Sequence, residues 1–124
     1  MSNKSEKAQF LQYVLSEVLA DIDGISSRAM FGGYGIYKEG IIFAIIADEQ
    51  LYFKVDQSNR SDYEQYGSHP FVYSQGKTKS TTMSYWELPA DIQEDRHEIA
   101  KWVEKAYEVS KNRKKNKWDL KLQQ

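Results

Sequence analysis

The stretch 30-MFGGYGIYKEGIIFAII-46 decides how this chain is read. Gly32, Gly33 and Gly35 fall within four residues, aromatic residues stand on both sides, and an unbroken apolar run follows. A glycine cluster cradles phosphate when a lysine and a Ser or Thr follow it and a helix opens behind, so that backbone N–H groups and the positive helix end meet the anion. Here no lysine-Ser/Thr pair follows, and the glycines match the G-x-G spacing of a dinucleotide loop only in part. What comes next has the composition of strand. The stretch therefore reads as strand, turn, strand: Ala29 to Phe31, a bend or bulge at Gly32-Gly33 where glycine reaches positive φ cheaply, then Tyr34 to Tyr37.

Working outward, Lys38-Glu39-Gly40 reads as a turn, and Ile41 to Ala47 as a strand apolar on both faces, because it lacks polar alternation. After a turn at Asp48-Glu49, Leu51, Phe53 and Val55 alternate with Tyr52 and Lys54, the period of a strand. Asp56 is expected to cap a short helix running to about Tyr66, with Gly67 at its C-terminal end and Pro70 beyond. Phe71 to Ser74 and Thr81 to Leu88 read as two more strands joined by the polar loop 75–80, and Pro89 ends the second. Upstream, Phe10, Leu11, Val14, Leu15, Val18, Leu19 and Ile22 form one stripe at helical spacing, predicting a helix over 5–22 with Ser5 as N-cap and Gly24 as stop. Downstream, Asp91 and Glu94 resemble a capping box ahead of a last helix that buries Ile99, Trp102, Val103, Ala106 and Ser110.

The order is α-β-β-β(-β)-α-β-β-α: an α+β domain with an antiparallel sheet and flanking helices. The 124 residues fit one domain, taken as 1–110, followed by a basic tail, 111–124. Composition is that of a folded protein, 40% apolar and 28% charged, with 14% aromatic residues favouring sheet. There is no cysteine, which removes disulfides, thiolate metal sites and Cys nucleophiles. The start, MSNKSEKAQF, has no signal-peptide core, and the longest apolar run is too short to span a bilayer; a cytoplasmic setting without membrane contact is expected.

Net charge is −1 but uneven: Lys111, Arg113, Lys114, Lys115, Lys117 and Lys121 crowd the tail against one acid, Asp119. That tail, with Lys77 and Lys79 in the polar loop, is a candidate for weak nucleic-acid contact. Gly76-Lys77-Thr78 imitates the end of a Walker loop, yet Phe71 stands where its first glycine belongs. The two histidines, His69 and His97, have no ligand set at metal spacing, and no G-x-S-x-G elbow or tuned carboxylate pair occurs. No cofactor, metal or catalytic residue is expected. Lys54, Asp56, Asn59 and Arg60 gather at a strand-to-helix junction, either as caps or as a recognition surface. Tyr34, Tyr37, Tyr52, Tyr73, Tyr85 and Trp86 lie on strands; facing helices they are core, exposed together they form a contact surface. With helices available to cover the sheet, core is the expectation for most.

Taken together, MFGGYGIY, the LYFKVD strand end, the Asn59-Arg60 pair, G-x-x-PF-x-Y and M-x-Y-W-x-x-P resemble the N-terminal domain of TfoX/Sxy, bacterial regulators of natural competence. The resemblance spans roughly residues 10–110. Its signature positions here are Met30, Phe31, Gly32, Gly33, Tyr34, Gly35, Pro70, Phe71 and Tyr85. It implies a fold similar to type III secretion chaperones and YjbR-like proteins, and a cytoplasmic role in transcriptional regulation of DNA uptake. It carries over no catalytic residue. Full-length members have a second, helical-hairpin domain, and a basic segment stands in that place here. The expected function is a non-enzymatic regulatory domain acting through a protein partner, with homodimerisation through a sheet edge or aromatic patch. The rivals are nucleic-acid binding by tail and loop, and an unrecognised small-molecule enzyme.

Overall fold

The computed structural model describes residues 4–30, 32–75 and 79–122, with side-chain surroundings for 6–30, 32–72 and 84–112. Six strands form one antiparallel sheet in the order β1-β2-β3-β4-β6-β5. They are β1 (Ile25–Met30), β2 (Gly33–Lys38), β3 (Ile41–Ala47), β4 (Gln50–Lys54), β5 (Pro70–Gln75) and β6 (Lys79–Glu87). The expected α+β architecture is present, with one difference at its first strand. β1 begins at Ile25, four residues before the segment that the glycine cluster marked, because Ser26, Ser27 and Arg28 on a sheet edge carry no apolar alternation.

Tight hairpins join β2 to β3 and β3 to β4. Glu39 and Gly40 take φ of 51° and 79°, and Asp48 and Glu49 take 50° and 60°. Two consecutive left-handed residues match the right-handed twist of the flanking strands. The second turn does this without any glycine. Between Ile36 and Tyr37 the β2–β3 register slips, leaving Phe43 without a partner. The bulge puts Phe43 and Ala44, consecutive residues, both in the core. That is one reason the 41–47 run shows no alternation.

α1 (Lys4–Tyr13) runs into a π-helical turn, Val14–Val18, closed by the Leu19 N–H donating to the Val14 carbonyl at 2.9 Å. Ser5 thus lies inside the helix rather than capping it, and regular helix ends well before residue 22. The widened turn buries Val14, Val18 and Leu19 together. Ser16 Oγ donates to the Gln12 carbonyl at 2.6 Å just there, a side-chain bond that competes with the regular ladder.

α2 is the short helix Arg60–Glu64. The Gly67 and Ser68 N–H groups close its end on the carbonyls of Glu64 (3.0 Å) and Tyr63 (3.1 Å), with Gly67 at φ 72°. α3 (Ala90–Gln93) and α4 (Arg96–Leu122) complete the chain. Asp91 and Glu94 do not cap the last helix; they belong to the separate turn of α3. Asp95 does so instead, its Oδ1 accepting the His97 and Glu98 N–H groups, both at 3.1 Å. α4 places Ile99, Trp102, Val103 and Ala106 inward, as its spacing predicts, but the last buried position is Val109 rather than Ser110, which is half-buried.

The helices share one core with one side of the sheet. Val14, Val18, Ile99, Trp102 and Ala106 pack with Ile36, Ala44, Ile46, Leu51 and Phe53 in a single cluster. Phe43 and Phe53 meet edge to face with ring centroids 5.4 Å apart, and Tyr63 meets Trp102 at 4.7 Å. The strand residues between these point to the other side.

Candidate interaction surface

That other side carries Met30, Gly35, Tyr37, Ile42, Ile45, Tyr52 and Tyr85, placed there by register: Gly35 opposes Ile45, Ile45 opposes Tyr52, and Lys54 opposes Tyr85. The residues of this side stand outside the helix-backed cluster. Met30, Tyr37, Ile42, Ile45 and Phe71 are half-buried, while Tyr52 and Tyr85 keep only 8% of their surface. Part of the covering comes from the sheet itself. Phe71, on edge strand β5, leans over Tyr52 with ring centroids 5.0 Å apart. Cations lie on the flanking rings: the Arg28 guanidinium 5.8 Å above Tyr37 and Lys54 Nζ 4.8 Å above Tyr85. Burial, and then the negative charges of Glu87 and Asp48, push the Tyr52 hydroxyl above its usual pKa, so it stays a neutral donor. His69 Nε2 pairs with Glu87 Oε2 at 3.0 Å on the rim.

The expectation that helices would cover most strand aromatics holds for only part of the set. Tyr34 and Trp86 pack on the helix-backed core, whereas Tyr37, Tyr52 and Tyr85 face away from it. Sequence alternation assigns residues to two sides but does not say which side the helices choose. The bland spacing of Tyr52 against Phe53 held the answer only in combination with the strand order.

The glycine cluster now has three separate causes. Gly32 sits at φ 78°, which only glycine adopts freely. A Cβ on Gly33 would run into the Ile46 carbonyl oxygen of the neighbouring strand. A Cβ on Gly35 would meet Met30 Sδ at 2.8 Å, Ile42 Cδ1 at 3.0 Å and Tyr37 Cε1 at 3.2 Å. Gly35 is therefore the floor over which the side chains of the helix-free face close. A recess beside the cluster, lined by Lys7, Gly33, Tyr34, Asp48 and Glu49, holds about 10 Å³, the room of one water rather than of a nucleotide.

The junction group is built as a scaffold. Asn59, 1% exposed, accepts the Asp56 N–H at 2.9 Å and donates from Nδ2 to the Lys54 carbonyl at 3.1 Å. Asp56 does not cap α2 as expected. Its Oδ1 accepts the Ser58 N–H and hydroxyl at 2.7 and 2.6 Å, closing an Asx turn one step earlier, and Asn59 takes the N-cap position. Arg60 reaches Glu64 with one nitrogen at 3.1 Å and lies 5.5 Å over the Trp86 ring. Lys54 Nζ donates to Ser84 Oγ at 2.6 Å, so of the four only Lys54 reaches the helix-free face.

Of the basic candidates, Lys111 is exposed, with Nζ 5.3 Å from the centroid of Tyr107; Lys38 Nζ lies 4.9 Å from the same ring. Lys77 and Phe31 lie outside the described residues, as do the side chains of Lys79, Arg113, Lys114, Lys115, Lys117 and Lys121. The backbone of the tail continues α4 to Leu122. Pro70 opens β5 opposite Trp86. Among the described residues no group of three or more His, Asp or Glu is placed to hold a metal ion, and no helix is long and apolar enough to cross a membrane.

Residues 17–110 match the family described as the TfoX N-terminal domain. The chain belongs to that family. A relative, the DNA transformation protein TfoX1 of Aliivibrio fischeri (strain ATCC 700601 / ES114), is 26% identical over 86 residues, covering 69% of this chain and 41% of that protein. The chain thus spans about two-fifths of the length of the curated relative it matches. Of the signature positions, Gly35, Phe71 and Tyr85 lie on the helix-free side of the sheet, whereas Pro70 opposes Trp86, which packs on the helix-backed core.

Proposed function

We propose that this chain is a regulatory domain of the competence type that performs no chemistry of its own and docks a protein partner on the helix-free face of its sheet. The observation that carries the reading is that face: aliphatic and aromatic side chains on the sheet, ringed by Arg28, Lys54 and Glu87 and outside the helix-backed cluster of the described residues. An apolar centre with a polar rim is the anatomy of a protein interface, and Tyr and Met are enriched there. Family membership and the name of the TfoX1 relative support the competence setting, with transcription of DNA-uptake genes in the cytoplasm as the process served. The test is capture of partners from nuclease-treated lysate of the native host by wild-type chain and by Ile45→Lys. Loss of a specific band in a variant that keeps its denaturation midpoint supports the reading. Equal capture by both chains contradicts it.

A second reading, nucleic-acid contact by the α4 end, rests on Lys38 and Lys111 meeting at Tyr107 where the basic segment leaves the domain. Phosphate contacts would make DNA retention fall steeply with salt and shrink after truncation at Ser110. Retention that ignores both truncation and salt removes this reading.

A further inference from the structure

The two edges of the sheet are treated differently. β5 starts with Pro70, which has no N–H to offer, and its register slips between Pro70 and Val72. Proline and bulges blunt an edge against further pairing. β1 has neither, and Ser26, Ser27, Arg28 and Ala29 are exposed in a row. Backbone directions on β1 follow from its pairing. The Gly24 carbonyl accepts the Glu39 N–H at 2.9 Å, so the even-numbered residues of this strand turn their polar groups toward β2. Ile25, Ser27 and Ala29 turn theirs outward, and among the described residues no strand pairs with that side of β1.

We propose that a second copy of this chain pairs here, β1 against β1 antiparallel about a twofold axis at Ser27, extending the sheet from six strands to twice that number. The inference goes beyond the docking face and does not depend on it. Symmetry, hydrogen-bond number and charge select this register for a second copy. A twofold perpendicular to the sheet keeps the helices of both copies on one side, which requires a residue to face itself. Centring on Ser27 sets Ser27 against its mate and Ile25 against Ala29, all outward-directed, and forms about six backbone hydrogen bonds. Centring on Arg28 forms about four and places two guanidinium groups directly opposite each other, a repulsive pair. In the Ser27 register Arg28 instead faces Ser26 of the second copy, while its guanidinium lies back over its own Tyr37. Ser26, Ser27 and Ala29 around the centre are small and exposed.

The sequence has no cysteine, so a single introduced thiol reports alone. Ser27→Cys would bring two thiols into a directly opposed pair, within the Cα span of roughly 4.4–6.8 Å that a disulfide bridges. Arg28→Cys would leave them offset by two residues, beyond it. Under mild oxidation of the full chain, Ser27→Cys is expected to form covalent dimer at least tenfold faster than Arg28→Cys. Ser27→Pro removes the central donor without touching the β1–β2 ladder, and light scattering should show dimer mass for wild type and monomer mass for this variant. Equal cross-linking of the two cysteine variants, or monomer mass for wild type at all concentrations up to the millimolar range, overturns the proposal.

Discussion

Tyr52 and Phe53 are neighbours in the chain and lie on opposite sides of the same sheet. Phe53 is fully buried beneath the helices, edge to face with Phe43. Tyr52 is nearly as buried, yet Phe71 of edge strand β5 leans over it, and burial with the charges of Glu87 and Asp48 keeps its hydroxyl protonated. Equal burial thus arises in two ways. On one side it comes from four helical segments closing a core; on the other it comes from side chains leaning on one another over Gly35. The first kind builds stability, and the second leaves an apolar surface within reach of a partner.

The largest expected effect separates the two. Phe53→Ala should cost about 4 kcal/mol, because it opens a cavity that packed helices cannot collapse. Tyr52→Ala should cost about 2 kcal/mol, since its neighbours relax into the space and solvent fills the rest. Urea denaturation of both variants checks the pair, and equal losses would erase the distinction between the faces.

The glycines divide the same way. Gly33→Ala is expected to cost about 3 kcal/mol, because the new methyl group meets a backbone oxygen of β3. Gly35→Ala should cost only about 1 kcal/mol, because the atoms it meets are the ends of Met30, Ile42 and Tyr37, which can shift. Its effect should appear instead as weaker partner binding, measured by titration against the captured partner. The glycines announced a strand-turn-strand from the sequence, and that reading held. Their individual roles were hidden, because close approach to Ile46 and to Met30 depends on a strand neighbour fixed only by register.

At the junction, Asn59→Ala should cost about 2 kcal/mol in the same denaturation series, leaving the Lys54 carbonyl and the Asp56 N–H without their buried partner. An Ala variant of exposed Arg60 should change stability by less than about 0.5 kcal/mol. The four polar residues were legible as a group from spacing alone. Which of them was structural was not, since Asp56 and Asn59 are both good N-cap residues and only their mutual bond decides between them.

The one pH-dependent effect concerns Tyr63. It is buried beside Trp102 with no hydrogen-bond partner for its hydroxyl among the described residues, and burial, followed by the charge of Asp62, pushes its pKa far above the ordinary value near 10.0. Because the folded state resists ionisation, the unfolded chain loses this proton first. The contribution is intact below pH about 10 and is lost as pH rises further. Tyr63→Phe should therefore raise stability by about 1 kcal/mol at neutral pH and flatten the alkaline decline, read from denaturation midpoints between pH 8 and about 11.

The element order, the hairpins and the helix-backed core were legible because they rest on local period and turn chemistry. β1 was shortened in that reading because an edge strand of Ser, Ser and Arg has no apolar signature. The π turn was missed because Val14, Val18 and Leu19 fit a regular helix equally well.

The central claim is that the helix-free face is a contact surface rather than a second core. Hydrogen exchange of the chain, alone and with its captured partner, measures this most directly. The account predicts new protection concentrated in β2, β3 and β4 around Tyr37, Ile45 and Tyr52, with α1 and α4 unchanged. Protection confined to the helices, with those strands unaltered by the partner, would contradict it.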